Sequence, residues 1–336
     1  MNMNKLQINI LETIRKYNLI SPYDRILLGF SGGYDSSCLI NVLNSIKKLL
    51  KFELFAVHVN HNLRNNSLTD YKGVKERCEN LKVKLFYESV NVKRYSQEGK
   101  VSIEMAGREI RYDIFTKICK SNNFNKVATA HNLNDSVEST IMHLMRGSGM
   151  SGLRGIQPSV KIKNNEYDVS LIRPLIQIER NCIEKYCKRY KVNAILDESN
   201  SSDDYFRNEV RHRIMPFVVR KNALHSIDRL GQIVCDENQY LDKIVDELYR
   251  NVAVLDSEQN TITIEKSKIQ NLHISLYRRL ILMCTKQLKW NDINYVQIDS
   301  CIDIINKGQG NKKIQLPNGC SVIFKRGTVT FNTNNS

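Results

Sequence analysis

A loop rich in glycine and serine follows an apolar run near the N-terminus and has the composition of a phosphate-binding loop. Gly32 and Gly33 accept positive φ angles, which lets backbone N–H groups approach an anion closely. Serine hydroxyls add donors at the positive end of the helix that is predicted to follow. The residues expected to bind phosphate are Ser31, Gly32, Gly33, Tyr34, Asp35, Ser36 and Ser37. The alternative is a plain glycine turn between a strand and a helix.

An acidic residue, Asp35, stands where a Walker-type loop carries Lys followed by Ser or Thr. A carboxylate beside polyphosphate requires a cation between them, and Mg²⁺ prefers carboxylate and phosphate oxygens as ligands. Such an ion would also polarise the phosphate bond that breaks. Asp35 is therefore the candidate magnesium ligand, together with the phosphates of a bound nucleotide.

Further polar side chains fall at the ends of predicted strands or on a basic helix. They are His58 near the end of the second strand, His61 and Arg64 after it, His131, Asp135 and Glu138 after the fourth, and Arg207 and Arg211 further on. Arg207 and Arg211 are four positions apart on a predicted helix, so they share one face that could contact RNA phosphates. The alternative is an ordinary solvated helix face. Residues 147–152 match G-x-G-x-x-G by letters, but they follow a helix instead of a strand, which favours a flexible loop over a dinucleotide site.

The elements that would position these residues alternate along the chain. Strands are predicted over 25–28, 52–59, 83–87, 126–130 and 172–175, and helices over 5–17, 37–50, 102–121, 137–145 and 179–190, with one more helix after a capping signature at 67–70. This alternation predicts an α/β fold with a doubly wound, mostly parallel sheet. Ligands of such sheets bind at the carboxyl ends of the strands.

Pro216 is expected to end the helix that carries the arginines, and the composition changes after it. Residues 1–216 are the predicted catalytic domain, and residues 217–336 a helical linker with a smaller α+β domain. In the second part, helical patterns cover 224–248 and 276–288, and a hairpin-like cap covers 313–331.

Composition limits the class of protein and its partners. The formal net charge of +15 and pI of about 9.3 favour a polyanion, and nucleic acid in particular. Nine scattered cysteines without a C-x-x-C pair indicate buried thiols in a reducing compartment, with neither a disulfide framework nor a zinc site. No window reaches the roughly 18 apolar residues of a membrane span, and the first residues lack a leader pattern. We therefore expect a soluble, cytoplasmic protein with no membrane partner.

The loop resembles the S-G-G-x-D-S pyrophosphate loop of the N-type ATP pyrophosphatases, or PP-loop family, whose fold is adenine nucleotide alpha hydrolase-like. Blocks along residues 20–217 are similar to those of the tRNA(Ile)-lysidine synthetase branch. They are His58–Arg64, Ala106–Tyr112, Ala130-His131 with Asp135 and Glu138, Arg146–Gly149, Arg173–Leu175, and 197–200 with Arg207–Arg211. Three positions depart from the pattern. They are Gly107 for Ala, Asn134 for Asp and Ser139 for Thr.

The resemblance implies a C–N ligase that uses ATP and Mg²⁺. The wobble cytidine of a tRNA(Ile) with a CAU anticodon is adenylated, and L-lysine then displaces AMP to give lysidine. The implied roles are ATP binding by the loop and His58, stabilisation of the attacked phosphate by Arg108 or Arg111, and tRNA binding by Arg64, Arg207, Asn208 and Arg211. The oligomeric state is left open, a homodimer included.

Lysine brings a protonation problem that helps to assign the remaining residues. With a reference pKa of about 10.4, only about one amine in 2,500 is neutral at pH 7, so deprotonation costs roughly 4.6 kcal/mol. Asp135 or Glu138 would orient the ammonium group and take its proton, with His131 as the alternative base.

Three other functions share part of this pattern. A tRNA 2-thiolating enzyme has the same loop but usually needs paired cysteines. A glutamine-dependent synthetase needs an amidotransferase domain or partner. A non-enzymatic nucleotide- or RNA-binding protein would explain the loop and the charge, but it has no need of Asp35 together with Asp135 and Glu138.

Overall fold

The computed structural model describes residues 3–62, 67–164, 167–192, 205–290, 293–307 and 311–333. The chain forms two compact units, Met1–Val234 and Cys235–Ser336. The division falls inside one long helix, whereas the sequence predicts a boundary after residue 216. The predicted contact residue Arg64 and the 197–200 motif lie outside the described residues.

The first unit is built on a six-stranded sheet with helices on both faces. Its strands are β1 Arg25–Gly29, β2 Glu53–Asn60, β3 Lys84–Ser89, β4 Lys126–Ala128, β5 Ser159–Asn164 and β6 Tyr167–Ile172. Its helices are α1 Lys5–Lys16, α2 Tyr34–Leu50, α3 Ser67–Asn80, α4 Val92–Gly99, α5 Ile103–Asn122, α6 Leu133–Met145, α7 Met150–Leu153, α8 Arg180–Arg189, α9 Tyr205–Glu209 and α10 Met215–Arg220. The sheet order is β3-β2-β1-β4-β6-β5. All neighbours pair in parallel except β5 and β6, so the predicted fold class is confirmed.

Strand β1 lies at the centre of the sheet, and its composition explains why. Ile26, Leu27 and Leu28 are fully buried, because helices cover the sheet on both faces. From β1 the chain order runs to β2 and β3 on one side and to β4 and β6 on the other. Such a reversal opens a crevice outside the carboxyl ends of the two central strands, here β1 and β4. The glycine-serine loop follows β1, and His131 follows β4 shortly afterwards.

Two local predictions are wrong. The strand predicted over 172–175 ends at Ile172 and begins at Tyr167, because it is the second half of a hairpin with β5 that the sequence analysis missed.

Pro216 does not end its helix. A π-helical turn, Val210–Ile214, precedes α10, and Pro216 occupies the first turn of α10, where a missing N–H costs nothing. The flexible loop expected at 147–152 contains the start of the short helix α7, and α4 was not predicted.

The second unit is α+β, as predicted. The helix α11, Leu224–Val252, contains the division between the units, and α12, Ile274–Gln287, and α13, Tyr295–Lys307, follow. The strands are β7 Ala253–Asp256, β8 Thr261–Glu265, β9 Lys312–Gln315, β10 Cys320–Lys325 and β11 Thr328–Thr333. They form an antiparallel sheet in the order β7-β8-β11-β10-β9, so the predicted C-terminal cap is part of a larger sheet. Across the described ranges of both units, no helix has the length and apolarity needed to cross a membrane.

Candidate active site

The loop between β1 and α2 has the geometry of an anion-binding turn. Gly32 has φ +90°, a conformation that strongly favours glycine. The hydroxyl of Ser37 donates to the Gly32 carbonyl at 3.0 Å, and that of Ser36 donates to the Gly33 carbonyl at 3.1 Å. Gly33 caps α2 without any side-chain hydrogen bond, so the N–H groups of the first turn remain available to a ligand.

His58 supports this loop from the neighbouring strand. Its side chain is buried, and Nδ1 lies 2.9 Å from the carbonyl oxygen of Phe30, the residue that enters the loop. A carbonyl only accepts, so Nδ1 carries a proton and donates it to this oxygen. The predicted contact between His58 and ATP stays a prediction. The observed contact fixes the start of the loop.

Asp35 occupies the first turn of α2, where the charge of a second carboxylate acts on it. Burial, and then the charge of Asp135, raise the pKa of Asp35 from 3.8 to about 6. The guanidinium of Arg180 and a hydrogen bond from Asn132 act in the opposite direction, and Glu184 adds a small upward contribution. Extra positive charge would therefore be stabilised at Asp35.

Asn132 connects Asp35 with the start of α6. Its side-chain Nδ2 donates to Asp35 Oδ1 at 3.2 Å, and its Oδ1 accepts from the backbone N of Asp135 at 3.1 Å. Asp135 Oδ2 in turn accepts from the backbone N of Asn132, which completes a capping box. Asn134, one of the departures from the family pattern, accepts from the backbone N of Arg180 at 3.0 Å. These contacts bring the first turns of α2, α6 and α8 together.

Glu138 lies one turn further along α6 and is only 3% exposed. Its two oxygens accept from Arg207 Nε at 2.7 Å and from Arg211 Nε at 3.0 Å. Arg207 also donates to Glu104 at 2.7 Å, and Arg211 lies 3.7 Å from Asp135. The two arginines predicted to bind RNA phosphates therefore contact carboxylates, and the role of Glu138 in this structure is to hold α9 and the π-helical turn against α6.

The charges of three further arginines act on His131. Burial, and then the charges of Arg173, Arg111, Arg108 and Arg207, lower the pKa of His131 from 6.5 to about 3. Burial also lowers the pKa values of Arg111 and Arg173. Arg111 nevertheless keeps solvent-accessible surface, as a side chain does when it lines a recess. The result is an electropositive wall, made of Arg108, Arg111 and Arg173, that suits an anionic ligand.

The structure brings most of the predicted site residues into one cluster and adds three that the sequence analysis did not assign. Hydrogen bonds and ion pairs connect Asp35, Asp135, Glu138, Arg207 and Arg211. The charges of Arg108 and Arg111 act on His131, and Asn208 lies on α9 beside Arg207. The additions are Asn132, Arg173 and Arg180. Asn132 carried a signal, since Asn three residues before Asp is a capping pattern. Nothing local distinguishes Arg180 from a surface arginine.

The carboxylates fit Mg²⁺ bound with nucleotide phosphates. Mg²⁺ in nucleotide sites takes one or two carboxylates, and phosphate oxygens and water complete its octahedron. Asp35 is such a carboxylate in the first turn of α2, and burial together with the charge of Asp135 raises its pKa, so a cation bound there would be favoured. Within the described ranges, no cluster of three or more His, Cys, Asp or Glu side chains could hold a metal without such a ligand.

Comparison with known proteins identifies the family. Residues 2–218 match the family model described as a PP-loop domain. The tRNA(Ile)-lysidine synthase of Clostridioides difficile is 33% identical over 327 residues, which cover 95% of this chain and 69% of that protein. The enzyme of the same name from Clostridium acetobutylicum is 35% identical over 325 residues, 96% of this chain and 68% of that protein.

Among solved structures, the U34-tRNA thiolase NcsA from Methanococcus maripaludis, determined with its [4Fe-4S] cluster, is similar with a TM-score of 0.57. At 20% identity, over 70% of this chain and 82% of that one, the likeness concerns the fold alone. The chain belongs to the PP-loop family of ATP-using enzymes. Within that family it belongs to the tRNA(Ile)-lysidine synthases, which are C–N ligases.

Proposed function

We propose that this chain ligates L-lysine to the 2-position of the wobble cytidine of a tRNA(Ile) with a CAU anticodon, with ATP consumed to AMP and pyrophosphate. The relatives' shared name supports the product. The observation that carries the proposal is the Asn132 side chain, which donates to the carboxylate of Asp35 at the phosphate loop and accepts from the backbone N of Asp135. One centre then has groups for both a phosphate and an amine.

In the first step, the 2-carbonyl oxygen of the cytidine attacks the α-phosphate of ATP, and pyrophosphate leaves. The free N–H groups at the start of α2 hold the phosphates. Mg²⁺ bound at Asp35 would neutralise phosphate charge and polarise the bond that breaks. Arg108 and Arg111 provide positive charge for the oxygens of the attacked phosphate.

In the second step, the ε-amine of lysine displaces AMP from the adenylated cytidine. Asp135 is the preferred partner of the ammonium group, because its carboxylate lies in the centre and retains 18% of its side-chain exposure. Glu138 is already bound by two guanidinium groups, so its contribution is to hold Arg207 and Arg211 and not to take the proton. His131, with its pKa lowered to about 3, would accept a proton from an ammonium only at a large cost, and we assign it a hydrogen-bonding role.

The tRNA contacts remain predictions. A net charge of +15 supports binding of a polyanion. The residues expected to contact the tRNA are Arg64, Arg207, Asn208 and Arg211. Carboxylates already bind Arg207 and Arg211 in this structure. Any contact of these two with a phosphate would therefore use the part of each guanidinium group that remains accessible. A homodimer and a cytoplasmic location also stay predictions.

The deciding experiment withholds lysine and then supplies it. With ATP and the tRNA, we expect AMP formation to depend on lysine in multiple turnover, and mass spectrometry of nucleosides to show lysidine. Turnover should rise between about pH 7 and 9 as more amine becomes neutral. A variant with all cysteines changed to serine, if folded, should keep activity. Activity that ignores lysine, or that requires cysteines, would support thiolation instead.

The variant Asp135→Asn separates the two steps. Asparagine retains the capping acceptor of α6 but cannot take a proton, so adenylated tRNA should accumulate and added lysine should rescue the variant only partly. The matched control is Asp168→Asn, because Asp168 is exposed on β6 and paired only loosely with Lys161 at 3.8 Å. Equal impairment of both steps in Asp135→Asn would contradict the assignment.

A further inference from the structure

Phe217 is an exposed aromatic residue on α10 that the preceding mechanism does not use. Its side chain is 52% exposed, whereas Met215 and Val218, on the same short helix, are buried at 5% and 7%. A single exposed apolar side chain is common in folded proteins, so the exposure of Phe217 alone indicates nothing. The feature that distinguishes Phe217 is a pair of cations beside its ring.

Arg220 and Lys221 follow Phe217 by three and four positions, so the three side chains share one helical face. The Cζ atom of Arg220 lies 5.5 Å from the ring centroid, and Nζ of Lys221 lies 5.9 Å from it. Both distances are close to the limit of about 6 Å for a cation–π contact, so the cations hold the ring only weakly. Both cations are exposed, and no carboxylate of the described ranges forms an ion pair with either.

The buried side of α10 places this face close to the candidate active site. Met215 and Val218 belong to one apolar cluster with Leu133 and Val137 of α6. Asp135 lies between Leu133 and Val137 in the sequence of that helix. Because the axes of packed helices are about 8–10 Å apart, the exposed face of α10 lies roughly 10–20 Å from Asp135. An RNA that brings its reacting base to Asp135 can therefore also contact α10.

The chemistry of this face favours RNA as its occupant. An aromatic ring on which a base can stack, with cations that contact the adjoining phosphates, is the combination that binds single-stranded nucleic acid. Arg207 and Arg211 are bound by Glu138, whereas the charges of Arg220 and Lys221 are not balanced by any described carboxylate. One ring between two cations offers little apolar area to a second protein, and the net charge of +15 also favours a polyanion.

We propose that Phe217, Arg220 and Lys221 bind the single-stranded anticodon loop beside the wobble cytidine. A base of the loop stacks on the ring of Phe217, and the two cations contact phosphates next to that base. The inference rests on the proposed function, which supplies the tRNA. The three residues take no part in the chemical steps, and their contribution is to hold the loop while its wobble base lies in the active site.

The first test compares the binding of two RNAs in the absence of ATP and lysine. One is an anticodon stem-loop with the CAU sequence, and the other is a fully paired duplex with the same number of nucleotides. Phe217→Leu should raise the Kd of the stem-loop roughly 10-fold and that of the duplex less than twofold, because only an unpaired base can stack on the ring. Phe217→Tyr keeps an aromatic ring and should bind both RNAs normally.

Tyr23→Leu is the matched control for the loss of a ring. Tyr23 is 82% exposed and precedes β1, so it lies at the amino end of the strand, whereas the candidate site lies at the carboxyl end. The Kd of the stem-loop should change less than twofold in this variant. Circular dichroism and thermal unfolding check that each variant is folded, and the exposure of Phe217 makes a loss of fold unexpected.

The second test measures how stem-loop binding depends on salt. The double variant Arg220→Gln/Lys221→Gln should reduce the slope of log K against log salt concentration by about 1.4 in magnitude, since each phosphate contact of a single strand contributes about 0.7. Lys47→Gln/Lys48→Gln is the control with the same change in net charge. These two lysines lie in the last turn of α2, at the opposite end of that helix from Asp35, and the slope should stay within about 0.3.

Three results would overturn the proposal. If Phe217→Leu weakens the binding of both RNAs equally, or of neither, no base stacks on the ring. If the two charge variants reduce the slope equally, the α10 face is not the place where phosphates bind. If Phe217→Leu leaves RNA binding unchanged and alters the mass measured by light scattering, the ring is a contact between copies of the chain. The expected binding pattern without any formation of lysidine would count against the proposed function alone, because neither test uses ATP or lysine.

Discussion

Asn132 donates its side-chain amide to Asp35 across the crevice between β1 and β4, with 3.2 Å between Nδ2 and Oδ1. The oxygen of the same side chain caps α6 by accepting from the backbone N of Asp135. One fully buried amide therefore sets the start of a helix and the environment of the candidate magnesium ligand. Its two functions can be separated by substitution.

Asn132→Ala should lower both stability and activity, whereas Asn132→Ser should lower activity alone. Alanine loses the cap, at a cost of about 1 kcal/mol in the free energy of unfolding, while serine keeps a capping oxygen. Both lose the donor that lowers the pKa of Asp35, so the acid limb of the rate profile should move to higher pH. Denaturant unfolding and pyrophosphate release measure the two effects. An unchanged pH profile in the serine variant would show that the amide does not control Asp35.

Asp35→Asn should abolish AMP formation yet stabilise the ligand-free protein above pH 6. The folded pKa, about 6, lies above the ordinary 3.8, so between these values the native state holds a proton that the unfolded state has lost. Stability contributed by the protonated form is complete below about pH 4, falls as pH rises to 6 and stays lost above it, a total of about 3 kcal/mol. Asparagine does not ionise, so the Asp35→Asn variant does not lose this stability as pH rises.

Denaturant unfolding of Asp35→Asn at pH 4 and pH 8, without ATP or Mg²⁺, checks this sign. The gain in the free energy of unfolding should be present at pH 8 and absent at pH 4. The control Asp168→Asn should show no gain at either pH. Asp35→Ala should also lose AMP formation with an unchanged circular dichroism spectrum. Near-normal turnover by either variant would remove Asp35 from the mechanism.

Arg207→Gln should act mainly on stability. Its guanidinium donates to the buried Glu138 and to Glu104, so its loss leaves a carboxylate underpaired and should cost about 2 kcal/mol. Arg213→Gln, on the same stretch but exposed, should cost less than about 0.5 kcal/mol. Since the charge of Arg207 is already balanced, the salt dependence of tRNA binding should not change. If the slope of log K against log salt concentration instead falls in magnitude by about 0.7 to 0.9, the result would support the predicted contact between Arg207 and a phosphate.

Gly107→Ala should stabilise the protein by about 0.5 to 1 kcal/mol, because glycine weakens a helix interior and α5 has room for the methyl group. The added Cβ would lie 3.7 Å from Val92 and 3.9 Å from His61, which is ordinary van der Waals contact. Gly155→Ala is the opposite control. Gly155 has φ +63°, and its Cβ would meet Ser136 Oγ at 2.6 Å, so a loss of about 2 kcal/mol is expected. Thermal unfolding distinguishes the two, and destabilisation by Gly107→Ala would contradict the space seen around α5.

The strand, loop and helix around Asp35 could be predicted from the sequence because the signals are contiguous. An apolar run, two glycines and flanking serines dictate local backbone geometry before any tertiary contact forms. The same holds for the parallel sheet, since alternation of strands and helices requires crossovers. The hairpin of β5 and β6 was missed, because an edge strand with exposed side chains such as Val160 lacks the apolar run of a central strand.

Only the tertiary structure decided how the charged residues pair. Asn132 meets Asp35 across 97 positions, and Arg207 meets Glu138 across 69. The second pairing depends on apolar packing of Val137 on α6 against Val210 and Met215, which no local pattern specifies. The pKa values of Asp35 and His131 follow from the same packing, because burial and the charges that it gathers are properties of the folded chain. The sequence by itself determined which groups are available, and the fold determined which of them are neutralised and which face a ligand.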